Sequence, residues 1–271
     1  MSSKNPYAPP ESHVADVNQL EGLGDLVLAD APKSNSAGAA WAWLKSGFSF
    51  FKVSPLFWII NMIIMFILMV ILGLIPVLGT IATSVLNPVF MGGLMLGTYA
   101  IAKGNKMTVS HLFAGFSQHA GKLITVGVLY LLGIIVVMLI TAVIAYLTGG
   151  FDGFVTLMSA QVGQSPDPDQ VLAAYSSLKV AGLFYFIMLF PLMFAIIFSP
   201  ALVVFHDMKA LEAMKLSFKG SVKNILPLIV WFILIMIFII LGVIPIGLGL
   251  LVVFPVIIAS TFAAYKMIFT D

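Results

Sequence analysis

Apolar residues dominate this chain in six long runs, and each is about the 20 residues an α-helix needs to cross a bilayer. Leu56 to Ile75 carries no charge at all. The others are Val77 to Ala102, Leu123 to Leu147, Val180 to Phe205, Ile225 to Ile244 and Ile246 to Ala264. Only Pro76 divides the first two and only Pro245 the last two, so both pairs must turn back tightly, with Gly73 and Gly242 loosening the preceding turn. Between the third and fourth runs lies one sizeable polar insertion, Thr148 to Leu178. Its Ser165-Pro166-Asp167-Pro168-Asp169 stretch is a loop or helix-start signal ahead of a short helix from Gln170 to Ser177.

A helical period also marks a short segment before the first, third and fifth runs. Bulky apolar residues recur at i, i+3 and i+7: Trp41, Leu44, Phe48; Val109, Leu112, Phe116; Leu211, Met214, Phe218. Lys45 and Lys52, and likewise Lys215 and Lys219, are expected on or near the opposite side, as in helices lying in a membrane interface. The pattern predicts an all-α integral membrane protein with six transmembrane helices in three hairpin units, about 41–104, 108–207 and 208–271, each preceded by an interfacial amphipathic helix. The first and third units agree further. Trp41, Leu44 and Phe48 match Leu211, Met214 and Phe218 at an offset of 170, and Gly73 and Pro76 match Gly242 and Pro245 at 169. In the return helices Gly93, Gly97 and Tyr99 match Ala259, Ala263 and Tyr265 at 166, with Pro88 near Pro255. Small residues four apart let backbones approach closely, so these faces are expected to seat helices, in the simplest case each other. Gly127, with no small partner four residues on, is expected to tolerate a larger side chain.

Composition fits a membrane solvent. Of 271 residues 61% are hydrophobic and 9% charged, with a mean hydropathy of +1.12, against about a quarter charged in soluble domains. The net charge of +2 comes from thirteen Lys and no Arg, which gives no reason to expect a nucleic-acid partner. With no Cys, disulfides and thiolate chemistry are closed. Ten lysines (Lys45, Lys52, Lys103, Lys106, Lys122, Lys209, Lys215, Lys219, Lys223 and Lys266) fall on one side of the six spans, and only Lys179 falls on the other. The positive-inside rule then puts both termini in the cytoplasm. Residues 1–40, with Pro6, Pro9, Pro10, Pro32 and a Ser/Asn/Gly/Ala run from Ser34, are predicted to be a disordered cytoplasmic Pro/Ser-rich tail; they lack the basic start and apolar stretch of a signal peptide.

Trp41-Ala42-Trp43-Leu44-Lys45-Ser46-Gly47-Phe48, the stretch Ser199-Pro200-Ala201-Leu202 leading to Asp207, and Ala210 to Phe218 resemble a group of six-span proteobacterial inner-membrane proteins. The layout is similar to YciC-type proteins and to the membrane domain attached to some glycerophosphodiester phosphodiesterases. The resemblance runs from Trp41 to the C-terminus and implies a multi-pass location in the bacterial inner membrane. It carries no catalytic residues, and the phosphodiesterase domain itself is absent.

Candidate chemistry is sparse. No Asp, Glu, Lys or Arg occupies the apolar centre of any run, where proton relays and ion-coupled carriers place such groups. His13, His111, His119 and His206 lack metal-site spacing, and no nucleophile-elbow or phosphate-loop motif occurs. No catalytic residue, metal or cofactor is expected. Asn87-Pro88 reads as a packing kink or as part of a broken-helix binding site, and Asn61 is a second polar residue inside a span. Asp207 is expected to cap the helix after it. The leading reading is a non-enzymatic scaffold, assembly or regulatory factor whose partners are membrane lipids, another protein or a second copy of the chain. Its interfacial contact residues would be Trp41, Phe48, Phe116, Lys215, Phe218 and Lys219. A carrier or channel for a neutral or amphipathic solute is the alternative, and a lipid-modifying enzyme ranks third for want of an acid–base pair.

Overall fold

The apolar runs fold as helices because a backbone in hydrocarbon can satisfy its N–H and C=O groups only internally. The structure, a computed structural model, describes residues 26–117, 119–161 and 167–271. Among these residues twelve α-helices follow in order: α1 Ala39–Val53, α2 Pro55–Gly73, α3 Leu78–Ala102, α4 Ser110–Phe113, α5 Ala120–Leu147, α6 Gly150–Gln161, α7 Pro168–Ser177, α8 Lys179–Ile196, α9 Ser199–His206, α10 Ala210–Lys223, α11 Ile225–Val243 and α12 Leu250–Phe269. Six elements are long and apolar enough to cross a membrane: α2, α3, α5, α8 continued by α9, α11 and α12. The chain is a multi-pass, all-helical membrane protein.

Three of the six lie inside and three outside. In their most apolar windows 61% of α3 and 56% of α12 are buried, against 17% of α2 and 11% of α5. The outer helices are also the more apolar ones. A water-soluble bundle would invert that order; here the lipid-facing helices carry the Leu and Ile, and the inner ones carry the Gly, Ala, Ser and Thr that permit close packing.

Several expectations are corrected. The disordered tail does not extend to residue 40. Leu26 is buried, Leu28 bridges Thr270, and Ala29 and Lys33 donate backbone hydrogen bonds to Phe269 and Ile268 at 2.9 and 2.7 Å. Lys33 reaches Asp271 at 3.0 Å, and Asn224 Nδ2 donates to the Lys33 carbonyl at 2.8 Å. The C-terminal backbone and one asparagine thus take up polar groups that composition alone leaves to water. Residues 1–25 lie outside the described residues, as do Ser165 and Pro166 of the loop signal. Asp167 does cap α7, accepting from Asp169 N at 2.9 Å. Ahead of it α6 is a full helix, an element not assigned from the sequence. The segment from Val109 to Phe116 is one α-turn and one 3-10 turn, Ala114–Phe116, rather than a longer amphipathic helix.

Candidate functional site

Each of the three short segments places a small residue against a carbonyl and an amide four residues apart on an inner helix. On α1, a Cβ added to Gly47 would stand 2.5 Å from the Val256 carbonyl oxygen and 2.8 Å from Ser260 N. After α4, one added to Gly115 would strike the Val89 carbonyl and stand 3.2 Å from Gly93 N. On α10, Ser217 Oγ donates to the Phe194 carbonyl at 2.7 Å and accepts from Phe198 N at 3.1 Å. That hydroxyl replaces the helical bond between Phe198 and Phe194. An inserted side chain of this kind is a standard cause of a kink, and Pro200 in the first turn of α9 has no N–H to offer the Ile196 carbonyl; together they break the fourth span, expected to be continuous, between α8 and α9.

The outward faces follow from the inward ones. On α1 the buried face is Ala40, Trp43, Leu44, Gly47 and Phe51, while Trp41, Lys45, Phe48 and Lys52 are exposed together. Positions i, i+4, i+7 and i+11 share one helical stripe, so the lysines stand beside the aromatic residues and not opposite them as expected. The Lys52 ammonium sits 4.7 Å from the Phe48 ring centroid, a cation–π contact. The same arrangement recurs on α10: Met214 and Ser217 face inward, and Leu211, Lys215, Phe218 and Lys219 outward. Phe116 is also exposed, with its ring 5.3 Å from that of Phe90.

Gly93 and Gly97 are packing residues, but what they seat is the α4 segment rather than a second spanning helix. A Cβ on Gly93 would meet the His111 and Leu112 carbonyls, and one on Gly97 would stand 2.5 Å from Met107 Cε. Ala259 and Ala263 are buried on α12. Gly127 is no tolerant position, because its Cβ would lie 2.5 Å from the Val85 carbonyl oxygen. Trp231 Nε1 donates to Ser260 Oγ at 3.0 Å, tying α11 to α12 beneath Gly47.

Where the inner helices converge, aromatic rings fill the space. Phe205 lies 5.4 Å from Tyr99, 5.7 Å from Phe262 and 5.4 Å from Tyr265, centroid to centroid, and His206 Nε2 is 2.6 Å from Tyr265 Oη. α3 runs through Pro88 without a break; Pro88 is buried and Asn87 is exposed. Asn61 is buried and donates to the Thr108 carbonyl at 3.2 Å, whereas its Oδ1 and the nearby Trp58 Nε1 have no partner among the described residues.

Asp207 does not cap α10. It ends α9 in the left-handed region at φ 51°, and its carboxylate pairs with Lys122 at 2.6 Å and lies 3.2 Å from His119 Nδ1. The Lys122 ammonium bonded to it holds its pKa below the ordinary value. Lys122 also donates to the Asp207 carbonyl at 2.7 Å, so the start of α5 is tied to the corner before α10. His111 Nδ1 accepts from Thr108 N at 3.0 Å, and burial lowers its pKa. Among the described residues no three His, Asp or Glu side chains are placed to hold a metal ion. No family model, curated protein or solved structure matches the chain.

Proposed function

We propose that this membrane protein is a non-enzymatic scaffold, assembly or regulatory factor of the bacterial inner membrane, with both termini cytoplasmic, acting through lipid or protein contacts of its short helices. The observation that carries this reading is the stripe of Trp41, Lys45, Phe48 and Lys52 on α1, exposed while the opposite face is locked onto α12. Aromatic and lysine side chains on one exposed face suit an anionic membrane surface or an acidic partner. The lysine distribution supports the orientation, and the resemblance to six-span inner-membrane proteins supports the location.

The reading includes a threefold plan, in which each unit is a short interfacial helix, a spanning helix and a return helix. Its support is the recurring contact: α4, α10 and α1 each set Gly115, Ser217 or Gly47 against the return helix of the unit before, and α1 closes the set by seating on α12. Burial also alternates alike in residues 41–49 and 211–219. The rings packed between the inner helices favour a scaffold over a pathway for solutes.

Charge reversal at Lys215 and Lys219 (K215E/K219E) weakens binding to anionic vesicles or to a co-purifying protein and leaves insertion intact. A pH-gradient-driven uptake by the purified protein in liposomes that survives those reversals would overturn the reading in favour of a carrier.

A further inference from the structure

A lateral cavity of about 270 Å³ opens between α1, α11 and α12. Trp41, Lys45 and Phe48 form one wall, and Phe238, Val252 and Ile257 stand opposite. Of all the side chains that line it, only Lys45 and Trp41 bear a polar atom. Lys52 lies on the same stripe of α1 as Lys45, and among the described residues neither ammonium is in an ion pair.

We propose that this groove binds one acyl chain of a phospholipid whose anionic headgroup is held by Lys45 and Lys52, with the Trp41 indole at the polar–apolar boundary. The proposal rests on the reading that the lysine-bearing face of α1 lies toward the membrane. Three features select this occupant. The walls are hydrocarbon, so a peptide laid in the groove would leave its N–H and C=O groups unpartnered, which a bilayer interior does not tolerate; an acyl chain has none to lose. The groove is open where Trp41, Lys45 and Phe48 of α1 and Phe238 of α11 are exposed, and α11 is one of the outer, more apolar spans. The cationic lip is uncompensated, and that favours a negative headgroup over a zwitterionic one by about fivefold per lysine.

Tryptophan quenching by lipids with brominated acyl chains tests the site in the full-length protein in nanodiscs. Trp41 is 59% exposed while Trp43, Trp58 and Trp231 are at most 3% exposed, so quenching reports on Trp41; Trp41→Phe sets the background. Titrated against unbrominated lipid, brominated phosphatidylglycerol is expected to reach half-maximal quenching at a fivefold or more lower mole fraction than brominated phosphatidylcholine. Lys45→Gln with Lys52→Gln removes the difference, and Val252→Phe, which fills the groove, reduces quenching by both lipids. Equal quenching by the two lipids in the wild-type protein, or a preference that survives the double Lys→Gln change, would overturn the proposal. Unchanged quenching in Val252→Phe would do the same. The wider functional reading fails separately, through solute uptake or the loss of contacts at α10.

Discussion

Replacing Gly47 with alanine is a small change that ought to be costly, because of where the methyl group goes. The added carbon meets backbone at 2.5 and 2.8 Å and Ser260 Cβ at 2.9 Å, about 1 Å inside a normal contact. None of these atoms is the free end of a flexible side chain, so α1 must lift from α12. Overpacking of this kind costs about 1–3 kcal/mol. Against it stands the helix preference of Ala over Gly, worth about 1 kcal/mol, leaving a net loss of up to about 2 kcal/mol. Gly182 on α8 is the control, since a Cβ there meets nothing within 4 Å. Gly182→Ala should gain up to about 1 kcal/mol from propensity alone. The two substitutions are chemically identical and opposite in predicted sign. Thermal unfolding in detergent, followed by size-exclusion fluorescence, measures both. A Gly47→Ala protein as stable as Gly182→Ala would refute the close approach of α1 to α12.

Gly127→Ala meets the Val85 backbone in the same way and should destabilise comparably, read as a lowered melting temperature. Ser217→Ala leaves the Phe198 amide without its acceptor, while the Phe194 carbonyl keeps the Ser221 hydroxyl at 3.2 Å, and a buried group losing its partner costs about 1–3 kcal/mol; Ser217→Thr, which keeps the hydroxyl, should cost less. The half-buried His111 has a pKa below its ordinary 6.5, so near and below that pH the unfolded chain binds a proton that the fold resists. Stability should therefore fall as pH drops through 6.5, and His111→Gln should flatten that slope in pH-dependent melts. The Asp207 pair behaves likewise at lower pH, its contribution being present above the ordinary carboxylate range and lost on acidification. With the Asp207 side chain 71% exposed, Asp207→Asn should cost less than about 1 kcal/mol. For topology, a cysteine at Ser176 should react with an impermeant thiol reagent in intact cells and one at Ser36 should not; both residues are exposed and the chain has no other cysteine.

The spans were legible because length and apolarity decide them, and the helix starting at Pro168 was legible from the Asp167-Pro168 pair. What the amphipathic periods left open was which way each face turns. Leu44 and Met214 point inward while Trp41 and Leu211 of the same i, i+3 pattern point outward, because the inner helix is met through Gly47 and Ser217, residues too small to register in a hydrophobic count. Gly93 and Gly97 announced close packing but not their partner, which is a loop and a single turn. Asn224 and Asp207 were hidden for another reason. Their partners, Lys33 and Lys122, lie 191 and 85 positions away, and no local spacing signals a contact of that separation. The break after α8 has a local cause, Pro200, and a distant one, the Ser217 hydroxyl on α10.

Under the proposed function, α1 and α10 present their aromatic and lysine stripes to a membrane or a partner while their opposite faces stay sealed. Site-specific photo-crosslinking in living cells tests it directly, with the crosslinker placed at Trp41, Phe48, Leu211 and Phe218 and, as inward controls, at Trp43 and Met214. Lipid or protein adducts are expected from the four outward positions, lost at Leu211 and Phe218 when Lys215 and Lys219 are reversed, and only intramolecular products from the two controls. Adducts from Trp43 or Met214 with none from Trp41 or Phe218 would contradict it.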